Sequence, residues 1–146
     1  EQLEAIVAIF DANPNISGAE FFCRYFVGQN IIITSRNNTY GNRCGEWRRA
    51  WRYHPGQRFR SHAPPIMNKA IGALASREET ERMGLVFDHY AYVHQEQVRY
   101  KERVYGYDGA VDGWLKLQAN RKWPVRLSEF LPWVKDDATA DLLHKL

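Results

Sequence analysis

The stretch from Gly45 to Pro65, GEWRRAWRYHPGQRFRSHAPP, gathers arginines, two Trp and two His around one Pro55-Gly56 pair. Six of the chain's 14 Arg lie between Arg43 and Arg60 with only Glu46 to offset them, so the segment carries a local excess of positive charge. Planar guanidinium forks at Arg49, Arg58 and Arg60 suit phosphate oxygens, and the faces of Trp47 and Trp51 suit a sugar ring or a base. The competing reading for any one of these arginines is a solvated outer strand face.

Two imidazoles have the chemistry of metal ligands. His62 precedes Ala63-Pro64-Pro65 and His89 follows Asp88, and either can complete a divalent site begun by carboxylates elsewhere. A lone His is equally a capped or core-edge residue. Asp88 and Glu46 are the nearest carboxylates and can act as general bases on an acceptor hydroxyl, although pairing with Arg is the commoner fate. Lys101 and Tyr105, one helical turn apart, can reach a phosphate or pack along their stems.

The elements that must position these groups follow from periodicity. Leu3, Ile6, Val7 and Phe10 repeat at helical spacing, and Asn13-Pro14 stops the helix. From Glu20 to Thr34 the aromatic and β-branched composition predicts one or two strands, punctuated at Gly28-Gln29-Asn30, and the polar run Ser35 to Gly45 reads as a loop. Pro55-Gly56 fits a type II turn, which predicts a hairpin from Trp47 to His62. Its shared face would carry Trp47, Arg49, Trp51, Tyr53, Arg58, Arg60 and His62. Residues Asn68 to Arg82 read as a helical or irregular, mobile surface excursion. Leu85 to Val93 reads as a strand, Gln95 to Tyr105 as a helix, with a second helical piece through Leu117. The tail reads as Pro-bounded loops and a short amphipathic end.

At 146 residues with 45% hydrophobic content the chain suits one domain of ordinary size with a real core. A net charge of +3, carried mostly by Arg, favours an anionic ligand. Cys23 and Cys44 form no Cys-x-x-Cys pair, which argues against a zinc knuckle and against a disulfide scaffold, and a reducing cytoplasm is the expected compartment. No apolar run spans a bilayer. The text opens at Glu1 inside a helical pattern, which predicts an excerpt of a longer polypeptide.

With these residues in view, the chain resembles the C-terminal half of a family 2 glycosyltransferase of the GT-A fold, of the bacterial kind that acts on glycans or lipid-linked acceptors. The resemblance covers almost the whole chain and rests on FFCRYFVG at Phe21 to Gly28, EWRRAWRYHPG at Glu46 to Gly56, SHAPP at Ser61 to Pro65 and FDHY at Phe87 to Tyr90. Ala63 replaces the acid usual beside the family's His, so no role for that acid carries over. The resemblance implies an α/β fold, a partial GT-A-like mixed sheet with flanking helices, lacking the N-terminal nucleotide-binding half and its acidic motif. It implies inverting, metal-assisted transfer from a nucleoside diphosphate sugar to a hydroxyl, with Mg²⁺ or Mn²⁺ held partly by His89 or His62. Asp88 or Glu46 would be the base, and Trp47, Arg49, Trp51, Arg58, Arg60 and Lys101 would bind substrate. The implied partners are a nucleotide-sugar donor and a glycan or lipid-linked acceptor, with peripheral membrane association and no nucleic acid. The excerpt alone would be inactive. A rival expectation is a nucleic-acid or anionic-glycan binding module that uses the Arg/Trp hairpin, motivated by a pI near 8.9.

Overall fold

A computed structural model describes residues 1–35, 48–62, 65–67 and 72–145, without the side chains of 61, 62, 65–67 and 145. In chain order the elements are α1 (Gln2–Ala12), β1 (Ile16–Glu20), β2 (Phe22–Tyr25), β3 (Ile31–Ile33), β4 (Arg48–Trp51), β5 (Phe59–His62), β6 (Pro65–Met67) and β7 (Ala73–Ala75). There follow α2 (Arg77–Arg82), β8 (Val86–His89), α3 (Gln95–Tyr105), α4 (Ala110–Ala119), β9 (Val125–Arg126) and β10 (Thr139–Leu142). The fold class is mixed α/β. Where one mixed sheet was expected, the described strands form four small sheets, β4-β1-β7, β3-β10-β9, β2-β8 and β5-β6.

The chain divides into two compact units, one of residues 1–23 and 44–87, the other of residues 24–43 and 88–146. In the first, β1 is the middle strand, antiparallel to β4 and parallel to β7. Its core joins Ile9, Ala19, Phe21, Ala75 and Leu85, with Ile6 and Phe10 packed against them. The helix α1 forms where the apolar spacing placed it, but Leu3 and Val7 are exposed, and the buried stripe runs through Ile6, Ile9 and Phe10.

The predicted hairpin is half right. Gln57 N–H donates to the His54 carbonyl at 3.0 Å and Gly56 has φ +82, so Pro55-Gly56 does make the tight turn. The strands on either side do not pair with each other. β4 is taken by β1 and β5 by β6, because Arg52 N–H donates to Ser17 O at 2.9 Å and its guanidinium donates to the carbonyls of Ile16 and Phe10. Arg52 thus ties β4 to the end of α1 and the start of β1, which pulls the chain out of hairpin register.

The 68–82 excursion also differs from expectation. Its described part holds β7 and α2, and α2 opens with a capping box in which Ser76 accepts from Glu79 N–H and Glu79 accepts from Ser76 N–H. Thr80 is wholly buried and its hydroxyl donates to Glu20 O at 2.8 Å. A buried, satisfied hydroxyl fixes this segment to β1, which a solvated surface piece would lack.

In the second unit α3 has the predicted bounds and α4 extends to Ala119. Its interior holds Val27, Val98, Leu117, Leu127, Leu131 and Val134, all but fully buried, each large aliphatic side chain contributing about 2 kcal/mol. The tail corrects the reading of loops and an amphipathic end: β10 pairs antiparallel with β3, Ala140 opposite Ile33 and Leu142 opposite Ile31, and with β9. Three consecutive Ile, all buried, leave β3 needing apolar cover and a ladder partner, and the tail supplies the partner.

Candidate functional site

The first cluster belongs to the Arg-rich segment. Across the β1–β4 ladder Arg48 lies opposite Glu20 and binds its carboxylate, Nη2 to Oε1 at 2.8 Å, with Glu20 nearly buried. Arg48 Nε is buried without a partner among the described residues, so the pair is tight but incompletely satisfied. Side chains alternate along a strand, and Arg49 turns away from this pair. Its guanidinium carbon lies 6.0 Å from the centre of the Phe87 ring, and Phe87 meets Phe21 edge-on at 6.4 Å. Arg49 and Gln2 form the polar part of a cleft of about 230 Å³ whose walls are Ile6, Phe21, Leu85 and Phe87.

Of the expected partners of Arg49, Glu46 and Trp47 lie outside the described residues, as does the side chain of His62, whose backbone stands opposite Pro65. Arg58 and Arg60 are exposed, Arg60 on β5, in a different sheet from Arg49, so the common face predicted for the three does not form. Trp51 packs edge-on against Phe59, ring centres 5.1 Å apart, where the hairpin register would have set it opposite Arg60.

Asp88 accepts from Arg24 Nε at 2.5 Å and from the Tyr90 hydroxyl at 2.8 Å, which occupies both carboxylate oxygens. That hydrogen bond to Asp88 is the main reason the Tyr90 phenol sits above its ordinary range. The His89 ring lies 4.7 Å from Tyr25. Among the described residues no group of three or more His, Cys, Asp or Glu side chains gathers, so these residues do not make a divalent-ion site by themselves. Lys101 is half-buried with Nζ 4.2 Å from the centre of the Tyr92 ring, and desolvation pushes its ammonium below the ordinary Lys range. Among the described residues no helix is long and apolar enough to cross a membrane.

The second cluster was not singled out by sequence reasoning. Within residues 24–43 and 88–146 a cavity of about 540 Å³ opens beside α4. Two indoles, Trp114 and Trp123, and the amides of Gln29, Asn30, Gln118 and Asn120 form much of its wall. Arg121 and His94 add polar donors, and Ile31, Val93 and Leu142 the apolar remainder. Among the described residues the lining holds no carboxylate. It is built around one turn: Val27 N–H bonds Ile31 O at 2.9 Å with Gly28-Gln29-Asn30 at the tip. Trp114 Nε1 then donates to Val27 O at 2.9 Å and to Tyr92 O at 2.7 Å, and Gln118 Nε2 donates to Val27 O at 3.0 Å.

Gln97 holds the opposite wall. Its Oε1 accepts from Val93 N–H at 2.9 Å and His94 N–H at 3.0 Å while its Nε2 donates to Tyr90 O at 2.9 Å, fixing the segment that leads into α3. Gly28 lets the turn sit close to α4: a Cβ there would lie 2.4 Å from Gln118 Oε1 and 2.9 Å from Ile31 Cδ1, so either side chain would have to shift. The available sequence signal was the run WLKLQANRKW at Trp114 to Trp123, dense in indole and amide.

A scan against protein-family models and searches of curated proteins and of solved structures return no match.

Proposed function

We propose that this chain serves the acceptor side of a glycosyltransferase that moves a sugar from a nucleoside diphosphate donor to a hydroxyl of a glycan or lipid-linked acceptor, with inversion, in the cytoplasm. One observation carries the reading furthest: Arg49, in a segment that resembles the family, stands over Phe87 at a cleft walled, apart from Gln2, by apolar side chains. A guanidinium beside such a cleft suits a ligand with a phosphate at one end and an apolar or ring portion at the other. Nucleotide diphosphates and lipid-linked phosphates share that chemistry. The cation of the reaction, Mg²⁺ or Mn²⁺, draws its main ligands from outside the described residues, and no step is assigned through it. Asp88, engaged by Arg24 and Tyr90, is better suited to fixing β8 than to accepting a proton.

The test uses the polypeptide as its gene encodes it, assayed for release of nucleoside diphosphate from UDP-, GDP- and dTDP-sugars with Mn²⁺. Arg49→Ala is expected to lower kcat/KM by about 10- to 100-fold, the range for losing a charge-assisted contact to phosphate. Activity unchanged by that substitution would remove the cleft from the reaction, and salt-sensitive oligonucleotide binding without release of diphosphate would favour the nucleic-acid alternative.

A further inference from the structure

We infer that the cavity beside α4 is a saccharide-binding site, one that holds a hydroxyl-rich ring whether or not the transferase reading stands. A sugar hydroxyl is donor and acceptor at once, and a carboxamide side chain offers both functions from a fixed plane. Five of them line the cavity: Gln29, Asn30, Gln95, Gln118 and Asn120. Gln118 presents Oε1 with its Nε2 already committed to Val27 O, and Asn120 presents Oδ1 with its Nδ2 committed to Lys122 O. Gln29, Gln95 and Arg121 have no side-chain hydrogen-bond or ion-pair partner among the described residues, so their donors are available to a guest. The two indoles supply the apolar counterpart. Trp123 is half-buried and leaves part of its ring to the C–H face of a pyranose, while Trp114, almost wholly buried and held by its two carbonyl contacts, is a fixed part of the wall.

The size agrees. About 540 Å³ lies within the roughly 300–1,000 Å³ of small-molecule sites and accommodates a disaccharide. The charge agrees as well: among the described residues the wall carries one guanidinium, Arg121, and no carboxylate, which suits a neutral or weakly acidic sugar. Nothing about the site requires a donor nucleotide or a metal, which separates its test from that of the transfer reaction.

The experiment titrates cellobiose, maltose, N,N′-diacetylchitobiose and α-1,6-mannobiose in turn into this chain, ¹⁵N-labelled, and follows the indole and side-chain amide resonances. At least one sugar is expected to shift the Trp114 and Trp123 indole signals and the Gln118 amide saturably while leaving Trp51 unmoved. Two exposed substitutions, Arg121→Ala and Gln29→Ala, are each expected to weaken that binding by about five- to tenfold, the cost of one hydrogen bond to a bound polar ligand. Their ¹⁵N spectra should otherwise match the parent. No saturable shift with any of the four sugars overturns the proposal. So does a shift that persists undiminished in both variants, or one reproduced by inorganic phosphate at the same concentration.

Discussion

The two compact units treat their polar side chains in opposite ways. In the first, two of the five described arginines of β4 and the chain just after it serve the fold: Arg48 neutralises Glu20 and Arg52 clamps α1 to β1. In the second, polar side chains at the mouth of a cavity are held open by others that do the fixing, Gln97 and Trp114 above all. The difference teaches that density of functional-looking residue types is a poor guide to a site. A cationic run has to be neutralised somewhere, and the nearest carboxylate and carbonyls of the same unit do it.

The largest effect that would sharpen this contrast comes from Trp114→Ala, which removes a buried indole and two hydrogen bonds and is expected to cost about 3–5 kcal/mol. Hydrogen exchange should show protection lost around Val27, α3 and α4. Intact protection there would break the assignment of Trp114 as the organiser of the second unit. Next is Arg48→Met, which removes the guanidinium partner of the Glu20 carboxylate in a nearly dry position and should lower stability by about 2 kcal/mol, discounted for the partial exposure of the pair. A neutral outcome in chemical denaturation would mean that Glu20 relaxes to other partners. Thr80→Val should cost about 1–2 kcal/mol by removing the buried hydrogen bond to Glu20 O, with little change in shape.

The smallest effect is a pH dependence. The backbone hydrogen bond at Ser76 is the main cause that holds the Glu79 carboxyl below its ordinary 4.5. A carboxyl depressed in the folded state contributes stability that is present above 4.5 and is lost as pH falls through the lowered value. Glu79→Gln, which removes the titrating carboxyl, should flatten the acid limb of the stability profile in that window. An unchanged limb would show that the Glu79 carboxyl contributes nothing there.

Local signals were legible and long-range pairings were not. Helix α3 could be read from its bounds because Gly106, at φ +66, ends it with a left-handed residue that the sequence announces. The Pro55-Gly56 turn was legible for the same reason, since φ is set by the residues themselves. The partner of β4 was not, because whether β4 joins β5 or β1 is decided by Arg52 reaching the carbonyls of residues 10 and 16, and nothing near Arg52 in sequence records that reach. β10 was missed because its text, Thr139 to Leu142, alternates weakly and becomes a strand only when Ile31–Ile33 offers an edge. Arg49 lines a cleft, while Arg58 and Arg60 were grouped with it only through an assumed register. The amide-rich cavity went unseen because its wall is drawn from the turn at residues 28–30, the loop before α3, the end of α4 and the tail, segments whose convergence no spacing rule encodes.

The central claim is a division of ligand chemistry between the units, an anion-tipped apolar guest at Arg49 and a hydroxyl-rich guest beside Trp114. Parallel ¹⁵N titrations of one sample, with UDP and Mg²⁺ and then with the disaccharide that binds best, measure it most directly. The account predicts two separate sets of shifted resonances, one around Arg49, Phe21 and Phe87, the other around Trp114, Gln118 and Trp123. A single shared set, or UDP shifts confined to the residues beside α4, would contradict it.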